Sequence, residues 1–264
     1  MNPKTKTLMW WIGSLFTLVA LFPTQINAQV LQVPYAEDFE TLSTCGTGCG
    51  SACLLTNGWT NDLSDDIDWT VDVGGTGSSN TGPGVDHNPG TSTGKYLYTE
   101  TSGCNGDTTN LISPPIDLSA KVVEVSYWYH MFGATMGELH VDVSSDGGAT
   151  WTLNVTPVVS GNQGNVWLNQ TINLSAFLGD TVNVRFRGIT GSSFTSDMAV
   201  DDVSFSELIP LDAGVTQILN PGGGVCAGTD SVVVEVQNFG TTTLTALSIN
   251  WSINGAAQPP VTGI

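Results

Sequence analysis

The sequence predicts an all-β protein, and three observations carry this prediction. From Tyr35 onward, apolar and polar residues alternate with a period of two, the period at which side chains alternate between the faces of a β-strand. Clusters of Gly, Asn and Asp interrupt the alternation at short intervals, as turns do. No stretch has a convincing helical period. Many short strands joined by polar turns are typical of a jelly-roll β-sandwich, which is the architecture we expect.

The longest predicted strand covers residues 123–131. Its odd-numbered positions are apolar or aromatic, whereas its even-numbered positions hold Glu124, Ser126, Trp128 and His130. We therefore expect a half-buried antiparallel strand whose odd-numbered side chains face the core. The same alternation recurs in two later stretches, residues 138–143 and 181–187.

A domain boundary is predicted at residues 207–212, where Ile209-Pro210-Leu211 forms a short, stiff link. The strand pattern restarts beyond it and includes the turn pair Asn254-Gly255. An immunoglobulin-like sandwich takes about 100 residues and seven strands, whereas residues 212–264 supply about three strands. We therefore expect residues 212–264 to be a truncated immunoglobulin-like β-sandwich.

The first residues predict a secretory signal peptide over residues 1–28. Lys4 and Lys6 form a basic start, Leu8–Phe22 is an apolar run without a charge, and Ala28 is a small residue suited to cleavage. A membrane-spanning helix needs about 20 apolar residues, so the run is too short for one. No later stretch is apolar enough to span a membrane. We expect a secreted or cell-surface protein.

The charge of the chain excludes some partners. The formal net charge is −18, and removal of residues 1–28 leaves 24 acids against 4 bases. Such a surface repels nucleic acid and anionic lipid, because phosphate binding depends on Lys and Arg. The acidity is explained either by solubility or by carboxylates that hold divalent cations, and both explanations stay open.

The five cysteines are Cys45, Cys49, Cys53, Cys104 and Cys226. Exported cysteines should be oxidised, so we expect disulfides among the first four, which allow three pairings that the sequence cannot rank. A zinc site is the competing interpretation of the first three, but no His is nearby. The fifth cysteine has no evident partner in its own domain.

Eight segments in this order resemble the signatures of the MAM domain: DFE (38–40), DDIDW (65–69), GPGVDH (82–87), GKYLYTE (94–100), LISPPIDL (111–118), VSYWYHMFGATMGELHVDV (125–143), Trp167 and AVDDVSF (199–205). The resemblance covers residues 35–207. It implies a jelly-roll β-sandwich that serves adhesion and protein contacts in extracellular multidomain proteins and is not itself catalytic. The family usually has one cysteine just before the DFE segment and one at the start of the long strand. This chain has Ala36-Glu37 and Val122-Val123-Glu124 there, so no disulfide pairing is carried over.

The second segment resembles the CARDB-like immunoglobulin modules of bacterial surface and secreted proteins. The stretch VVVEVQNFGTTTL at residues 232–244 carries this likeness. It covers only the first part of such a module.

One segment has the pattern of the Asp box found in sialidases. SSDGGATW at residues 144–151 predicts a tight hairpin in which Asp146 binds backbone amides, Gly147-Gly148 adopts positive φ and Trp151 packs beneath. A sialidase repeats the box and needs an arginine cluster. This chain has one box, and its only arginines are Arg185 and Arg187, so we interpret the segment as structural.

No catalytic residue is predicted. His87, His130 and His140 lack the H-E-x-x-H spacing, no G-x-S-x-G segment is present, and no Cys has a paired His. Paired carboxylates are plentiful, so residue type alone does not exclude a glycosidase. We interpret them instead as loop and cation residues.

The predicted function is a non-catalytic extracellular adhesion or protein-recognition module. Two alternatives stay open: a carbohydrate-binding jelly roll, and an accessory domain of a larger secreted hydrolase. The partner is then an extracellular protein or a glycan. A row of exposed Trp and Tyr on a concave face would favour the glycan, and buried aromatic residues with a flat polar face would favour adhesion.

A structural Ca²⁺ ion is also predicted, because the first and last strands of a jelly roll can lie side by side. Asp38 and Glu40 are expected to share one face of the first strand while Phe39 faces the core. An all-acid cluster suits Ca²⁺ better than zinc. The predicted ligands are Glu40, Asp68 and Asp201, with Asp66 and Asp202 in reserve. The alternative is that these acids cap turns and face solvent.

Overall fold

Two β-sheets that face each other form the larger part of the molecule, in a computed structural model that describes residues 29–209, 211–220, 231–240 and 242–263. The first sheet has seven strands: β1 (Leu31–Gln32), β3 (Thr60–Asn61), β6 (Thr108–Ile112), β7 (Ile116–Asp117), β9 (Glu138–Ser144), β10 (Val159–Ser160) and β12 (Thr181–Ile189). The second has six: β2 (Tyr35–Glu37), β4 (Thr70–Val73), β5 (Lys95–Tyr98), β8 (Val123–Met131), β11 (Leu168–Asn173) and β13 (Met198–Glu207).

One long strand organises each sheet. In the first sheet, β12 pairs antiparallel with β9 on one side and with β6 and β7 on the other. In the second sheet, β13 pairs antiparallel with β8, with β5 and with β2. β2, near the start of the domain, and β13, at its end, are therefore neighbouring strands, as the sequence predicts for a jelly roll.

The core lies between the sheets and follows the predicted alternation. Every odd-numbered residue of β8 is buried, and Tyr127 meets Phe186 of β12 edge to face at 4.8 Å between ring centroids. Full burial of one such large side chain stabilises the fold by about 1.5–3 kcal/mol. The all-β fold and the jelly-roll sandwich are therefore confirmed.

Two disulfides tie the loops at one end of the sandwich. Cys45 pairs with Cys53, and Cys49 pairs with Cys104, at Cα–Cα distances of 5.5 and 5.7 Å. The four cysteines predicted to be oxidised are thus all bonded, in one of the three pairings that the sequence left open. Cys226 lies outside the described residues, as does the predicted signal peptide.

The described residues after β13 form three two-stranded sheets. These are β14 (Ala213–Asn220) with β15 (Val233–Asn238), β16 (Leu247–Ile249) with β19 (Val261–Gly263), and β17 (Ser252–Ile253) with β18 (Ala256–Ala257). Asn254 and Gly255 have φ of 49° and 82°, which confirms the predicted hairpin turn.

The expectation of about three strands in residues 212–264 is wrong, because the described part of this segment contains six short ones. The apolar run at residues 247–253 reads as one strand in the sequence. The structure divides it at Asn250 and Trp251 into β16 and β17, each of which has its own partner.

No helix in the described ranges is long and apolar enough to cross a membrane. The helix that the structure does describe is a single 3-10 turn, η1, at Ser175–Phe177.

Candidate functional site

A β-bulge in β13 shapes the outer face of the second sheet. From Asp201 to Ser204, β13 advances by three residues while its partner β8 advances by two, from Trp128 to Ser126. Asp202 lies in the bulge with φ of 46°, a left-handed conformation that Asp adopts more readily than most residues. Bulges re-aim side chains, and this one places the carboxylate of Asp202 beside His87.

The loop at residues 74–94 covers one half of this outer face. Tyr96 is buried beneath it and donates a hydrogen bond from its hydroxyl to the carbonyl of Gly74, and the Trp167 ring packs against Tyr96. The indole Nε1 of Trp167 donates a hydrogen bond to the carbonyl of Val85 at 3.0 Å. The aromatic side chains on this half of the face are therefore covered by chain.

The other half of the face is open and forms a cavity of about 300 Å³. Its floor is a row of small side chains across three neighbouring strands: Ser126 of β8 lies opposite Ser204 of β13, which lies opposite Ala36 of β2. The remaining residues that line it are Glu37, Asp38, Trp128, Asp202 and Val203. We call these eight residues the groove.

Trp128 forms the aromatic part of the groove. Its side chain is half-buried, and the imidazole of His87 stacks on the indole at 3.7 Å between ring centroids with an interplanar angle of 18°. His87 Nδ1 is in turn hydrogen-bonded to Asp202 Oδ2. Because the hydrogen bond to Asp202 fixes the His87 ring, the stacked imidazole limits the rotation of the Trp128 indole.

The groove is acidic. Glu37, Asp38 and Asp202 line it, and no Lys, Arg or His is among its eight residues. Burial raises the pKa of Glu37 above its ordinary value, although Asn57 Nδ2 and the backbone N–H of Phe39 donate hydrogen bonds to its carboxylate. Asp38 is exposed at the rim.

Asp201 is fully buried next to this rim. Burial raises its pKa to about 8, and the neighbouring charge of Asp202 adds to the rise. Its two carboxylate oxygens accept hydrogen bonds from the backbone N–H groups of His87, at 2.9 Å, and Asp202, at 2.8 Å.

Glu40 does not lie on β2, the strand that corresponds to the predicted first strand, contrary to the prediction. That strand ends at Glu37, and Phe39 has φ of 56°, so the chain turns there while the Phe39 ring enters the core as expected. The turn carries Glu40 to Lys95, whose backbone N–H donates to Glu40 Oε1 at 2.7 Å. Lys95 Nζ also donates to the carbonyls of Glu40 and Leu42, at 2.6 and 2.7 Å. Lys95 thus engages both the carboxylate and the backbone carbonyl of Glu40.

Asp66 and Asp68 bind backbone amides instead of joining Asp201. Asp66 Oδ2 accepts a hydrogen bond from the N–H of Thr108 at 2.9 Å, and Asp68 Oδ2 accepts one from the N–H of Cys53 at 2.8 Å. These bonds agree with the alternative that the acids cap loops.

The five predicted ligands are therefore not brought together. Among residues 29–209, 211–220, 231–240 and 242–263, no group of three or more His, Cys, Asp or Glu side chains is placed to hold a metal ion. Asp201 and Asp202 lie at the groove, whereas Glu40, Asp66 and Asp68 are engaged by other parts of the chain. Calcium binding itself stays a prediction.

The sequence did not reveal the groove, although one signal for it was present. Trp128 occupies an even-numbered, outward-facing position of β8, where a polar residue is the norm for a half-buried strand. His87 and Glu37 could not be connected to it, because strand register and a bulge bring them together from distant parts of the sequence.

The Asp-box segment forms the predicted hairpin. Asp146 Oδ1 accepts a hydrogen bond from the backbone N–H of Thr150 at 2.8 Å, and Gly147 and Gly148 have φ of 73° and 89°. Hydrogen bonds from Thr150 lower the pKa of Asp146 to about 2. Trp151 packs against the guanidinium of Arg185 at 4.2 Å. The segment thus has the structural role expected for it.

The two arginines are not available as a clamp for an anionic substrate. Arg185 Nη2 and Arg187 Nε both donate to Asp142 Oδ2, at 2.7 and 2.9 Å. Asp142 is fully buried. Both guanidinium groups are thus engaged by one buried carboxylate.

No described Trp or Tyr side chain is exposed; each is buried or half-buried. The row of exposed aromatic residues that would favour a glycan is therefore not found in the part of the chain that the structure describes. The buried aromatic residues agree with one part of the expectation for adhesion, whereas the open half of the face is a groove and not flat.

Comparison with known families agrees with this geometry. The family model described as "MAM domain, meprin/A5/mu" matches residues 38–208. MAM domain-containing glycosylphosphatidylinositol anchor protein 1 of Rattus norvegicus is 34% identical over 181 residues, which are 66% of this chain and 18% of the relative. Neuropilin-1a of Danio rerio is 32% identical over 169 residues, which are 58% of this chain and 17% of the relative. The chain thus spans less than a fifth of the length of these relatives.

A solved structure with a similar chain path is the K1 cleaved adhesin domain of Lys-gingipain from Porphyromonas gingivalis W83. The two share 16% identity with a TM-score of 0.45, and the match covers 66% of this chain and 98% of that domain.

Proposed function

Because the chain belongs to the MAM domain family, we propose that it is a non-catalytic extracellular module that recognises another protein. The observation that carries this proposal is the groove, an open cavity of about 300 Å³ on the face of a rigid sheet rather than a closed pocket. Residues on strands are held more precisely than residues on loops, which suits them to a contact surface.

Secretion or display at the cell surface is part of the same proposal. The two disulfides support it, because such bonds persist in oxidising compartments. The basic and apolar start of the chain supports it independently. Two relatives carry a glycosylphosphatidylinositol anchor in their names, which is a form of attachment to the outer surface of a cell.

Residues 212–264 are proposed to belong to a CARDB-like immunoglobulin module. Support comes from the VVVEVQNFGTTTL stretch and from the antiparallel pairing of β14 with β15. This segment would act as a spacer or second contact domain.

A carbohydrate-binding function is the second candidate, because Trp128 borders the groove and sugars stack on aromatic rings. The acidic rim and the covered state of Tyr96 and Trp167 favour the protein partner instead. An accessory role in a larger secreted hydrolase is compatible with either ligand.

Binding to treated cell surfaces tests the proposal. Beads coated with the secreted chain are applied to cells exposed beforehand to protease, to a glycosidase mixture, or to buffer. A protein partner predicts that protease abolishes bead binding and glycosidase leaves it intact. Loss after glycosidase alone would establish the glycan alternative, and an absence of binding to any cell type or purified extracellular protein would contradict recognition altogether.

A further inference from the structure

The groove combines an aromatic ring with carboxylates, which are the two groups that bind organic cations. We propose that it is a docking site for a basic side chain, arginine in particular, presented by the partner protein. This inference rests on the proposed function and names the chemistry of the contact.

The aromatic component is Trp128. A cation within about 6 Å of an indole face is attracted by the ring quadrupole, and Trp is the strongest of the aromatic residues in this respect. His87 stacks on the indole from outside the groove, whereas the half-buried Trp128 itself lines the cavity. An incoming guanidinium would stack there.

The acidic component is the pair Asp38 and Asp202. Asp38 is exposed at the rim, and its Oδ1 accepts a hydrogen bond from the backbone N–H of Glu40 at 3.1 Å. Asp202 keeps 20% of its side chain accessible while it binds His87. A guanidinium on the indole can donate hydrogen bonds to carboxylates at the edge of the same cavity, and such charge-assisted bonds are about twice as strong as neutral ones.

No Lys or Arg side chain beyond residue 28 pairs with these carboxylates, although His87 contacts Asp202. Beyond residue 28 the chain has four Lys and Arg residues, all of them described, and each is engaged by residues that do not line the groove. Lys95 binds the carbonyls of Glu40 and Leu42, Lys121 pairs with Glu207, and Arg185 and Arg187 bind Asp142. A Lys or Arg that pairs with them would come from the partner, and the overall charge of −18 favours the approach of a basic partner.

The shape of the groove favours a single side chain. Its cavity of about 300 Å³ is at the lower end of the range for small-molecule sites. The small residues Ser126, Ser204 and Ala36 leave room above the sheet, and the two serine hydroxyls offer further acceptors. Arginine is favoured over lysine, because its planar guanidinium stacks on a ring and donates several bonds in one plane.

A titration with model compounds tests the proposal on the whole secreted chain. N-acetyl-L-arginine methylamide is added, and the indole N–H resonance of Trp128, assigned from the spectrum of Trp128→Phe, is followed by NMR. N-acetyl-L-citrulline methylamide has nearly the same shape without the charge. We expect a saturable shift with the arginine compound, weakened by added salt, and none with the citrulline compound. Equal shifts from both compounds would overturn the proposal.

Two variants locate the contact. Asp38→Asn and Asp202→Asn each keep the size of the side chain, and Asn also tolerates the left-handed backbone at position 202. Each should weaken arginine binding about tenfold, the effect of removing one charge-assisted bond. The matched control is Asp180→Asn, because Asp180 is exposed and does not line the groove. Unchanged affinity in both groove variants, with melting temperatures like that of the unaltered chain, would place the cation elsewhere and refute the assignment.

Bead binding and the arginine titration together distinguish an error in the proposed arginine site from an error in the proposed function. If the beads bind protease-sensitive partners while the arginine compound leaves Trp128 unaffected, protein recognition stands and the groove is not its contact. If the arginine compound binds as expected but no extracellular protein does, the groove assignment stands and the proposed function is wrong.

Discussion

Arg185 holds the buried carboxylate of Asp142 through two hydrogen bonds, from Nε at 3.0 Å and from Nη2 at 2.7 Å. Arg187 and the backbone N–H of Asn154 donate to the same carboxylate. Burial alone would raise the pKa of Asp142, but these donors outweigh it and hold the pKa below its ordinary value. The carboxylate therefore stabilises the fold at neutral pH, and this contribution is lost as the pH falls through the lowered pKa.

Asp142→Asn should destabilise the fold by about 3 kcal/mol, because removal of one partner leaves buried positive charge uncompensated. Urea denaturation at pH 7 measures the loss. Asp180→Asn is the control, since Asp180 is exposed, and it should change the free energy of unfolding by less than about 0.5 kcal/mol. Equal losses in the two variants would mean that the buried carboxylate of Asp142 stabilises the fold no more than an exposed one does.

Asp197 should make the protein less stable as the pH rises. Burial raises its pKa from 3.8 to about 7, and the charge of Glu100 adds to the rise. Between these two values the folded state keeps a proton that the unfolded state has lost, so the free energy of unfolding falls with increasing pH. Asp197→Asn removes the titrating carboxyl, so the free energy of unfolding should depend less on pH between about pH 4 and 7. Urea denaturation across that range is the measurement, and an unchanged slope would contradict the raised pKa.

The two disulfides should differ in their contributions to stability. Cys49 and Cys104 are 55 residues apart in sequence, whereas Cys45 and Cys53 are 8 apart. Loop-closure entropy gives about 4 kcal/mol for the longer loop and about 2.5 kcal/mol for the shorter one. Double Cys→Ser variants of each pair, compared by denaturation, test this order. Peptide mapping of the unreduced protein tests the pairing itself, and a Cys45–Cys49 bond would refute it.

Residues 212–264 should not unfold cooperatively when expressed alone. Their described strands form separate two-stranded sheets, and large apolar side chains such as Val215, Ile218 and Phe239 are half or more exposed. Isolated two-stranded sheets are marginal in water. Residues 30–207 alone should melt in one sharp transition, because the buried core lies within them. A sharp calorimetric transition from the short piece would contradict this division.

Calcium is tested by melting the protein with excess Ca²⁺ and again with chelator. An ion at 100 times its dissociation constant would stabilise the fold by about 2.7 kcal/mol, and we expect a corresponding rise in melting temperature. Asp201→Asn should abolish the rise. Glu40→Gln shows whether Glu40, which the structure places against Lys95, takes part as the sequence predicted. An equal melting temperature with Ca²⁺ and with chelator would contradict the predicted structural ion.

How far the sequence predicts the structure depends on the range of the forces involved. The strand at 123–131 could be predicted residue by residue, because its burial alternates with a strict period of two as far as Tyr129. The end of β2 could not be predicted, because the hydrophobic pattern does not indicate the positive φ at Phe39. The groove was out of reach for a similar reason: the register between β2, β8 and β13 is a long-range property, and one extra residue in a bulge decides where Asp202 points.

The length of the loop at residues 74–94 would determine which class of ligand a related module binds on this sheet face. Beneath the loop lie Tyr96 and Trp167, whose rings contact each other on the same sheet face as Trp128. A module that kept these strands but shortened the loop would present an aromatic platform, which suits flat sugar rings better than basic peptides. In such modules, insertion or deletion in one loop would switch the recognised chemistry while every strand of the sandwich stayed in place.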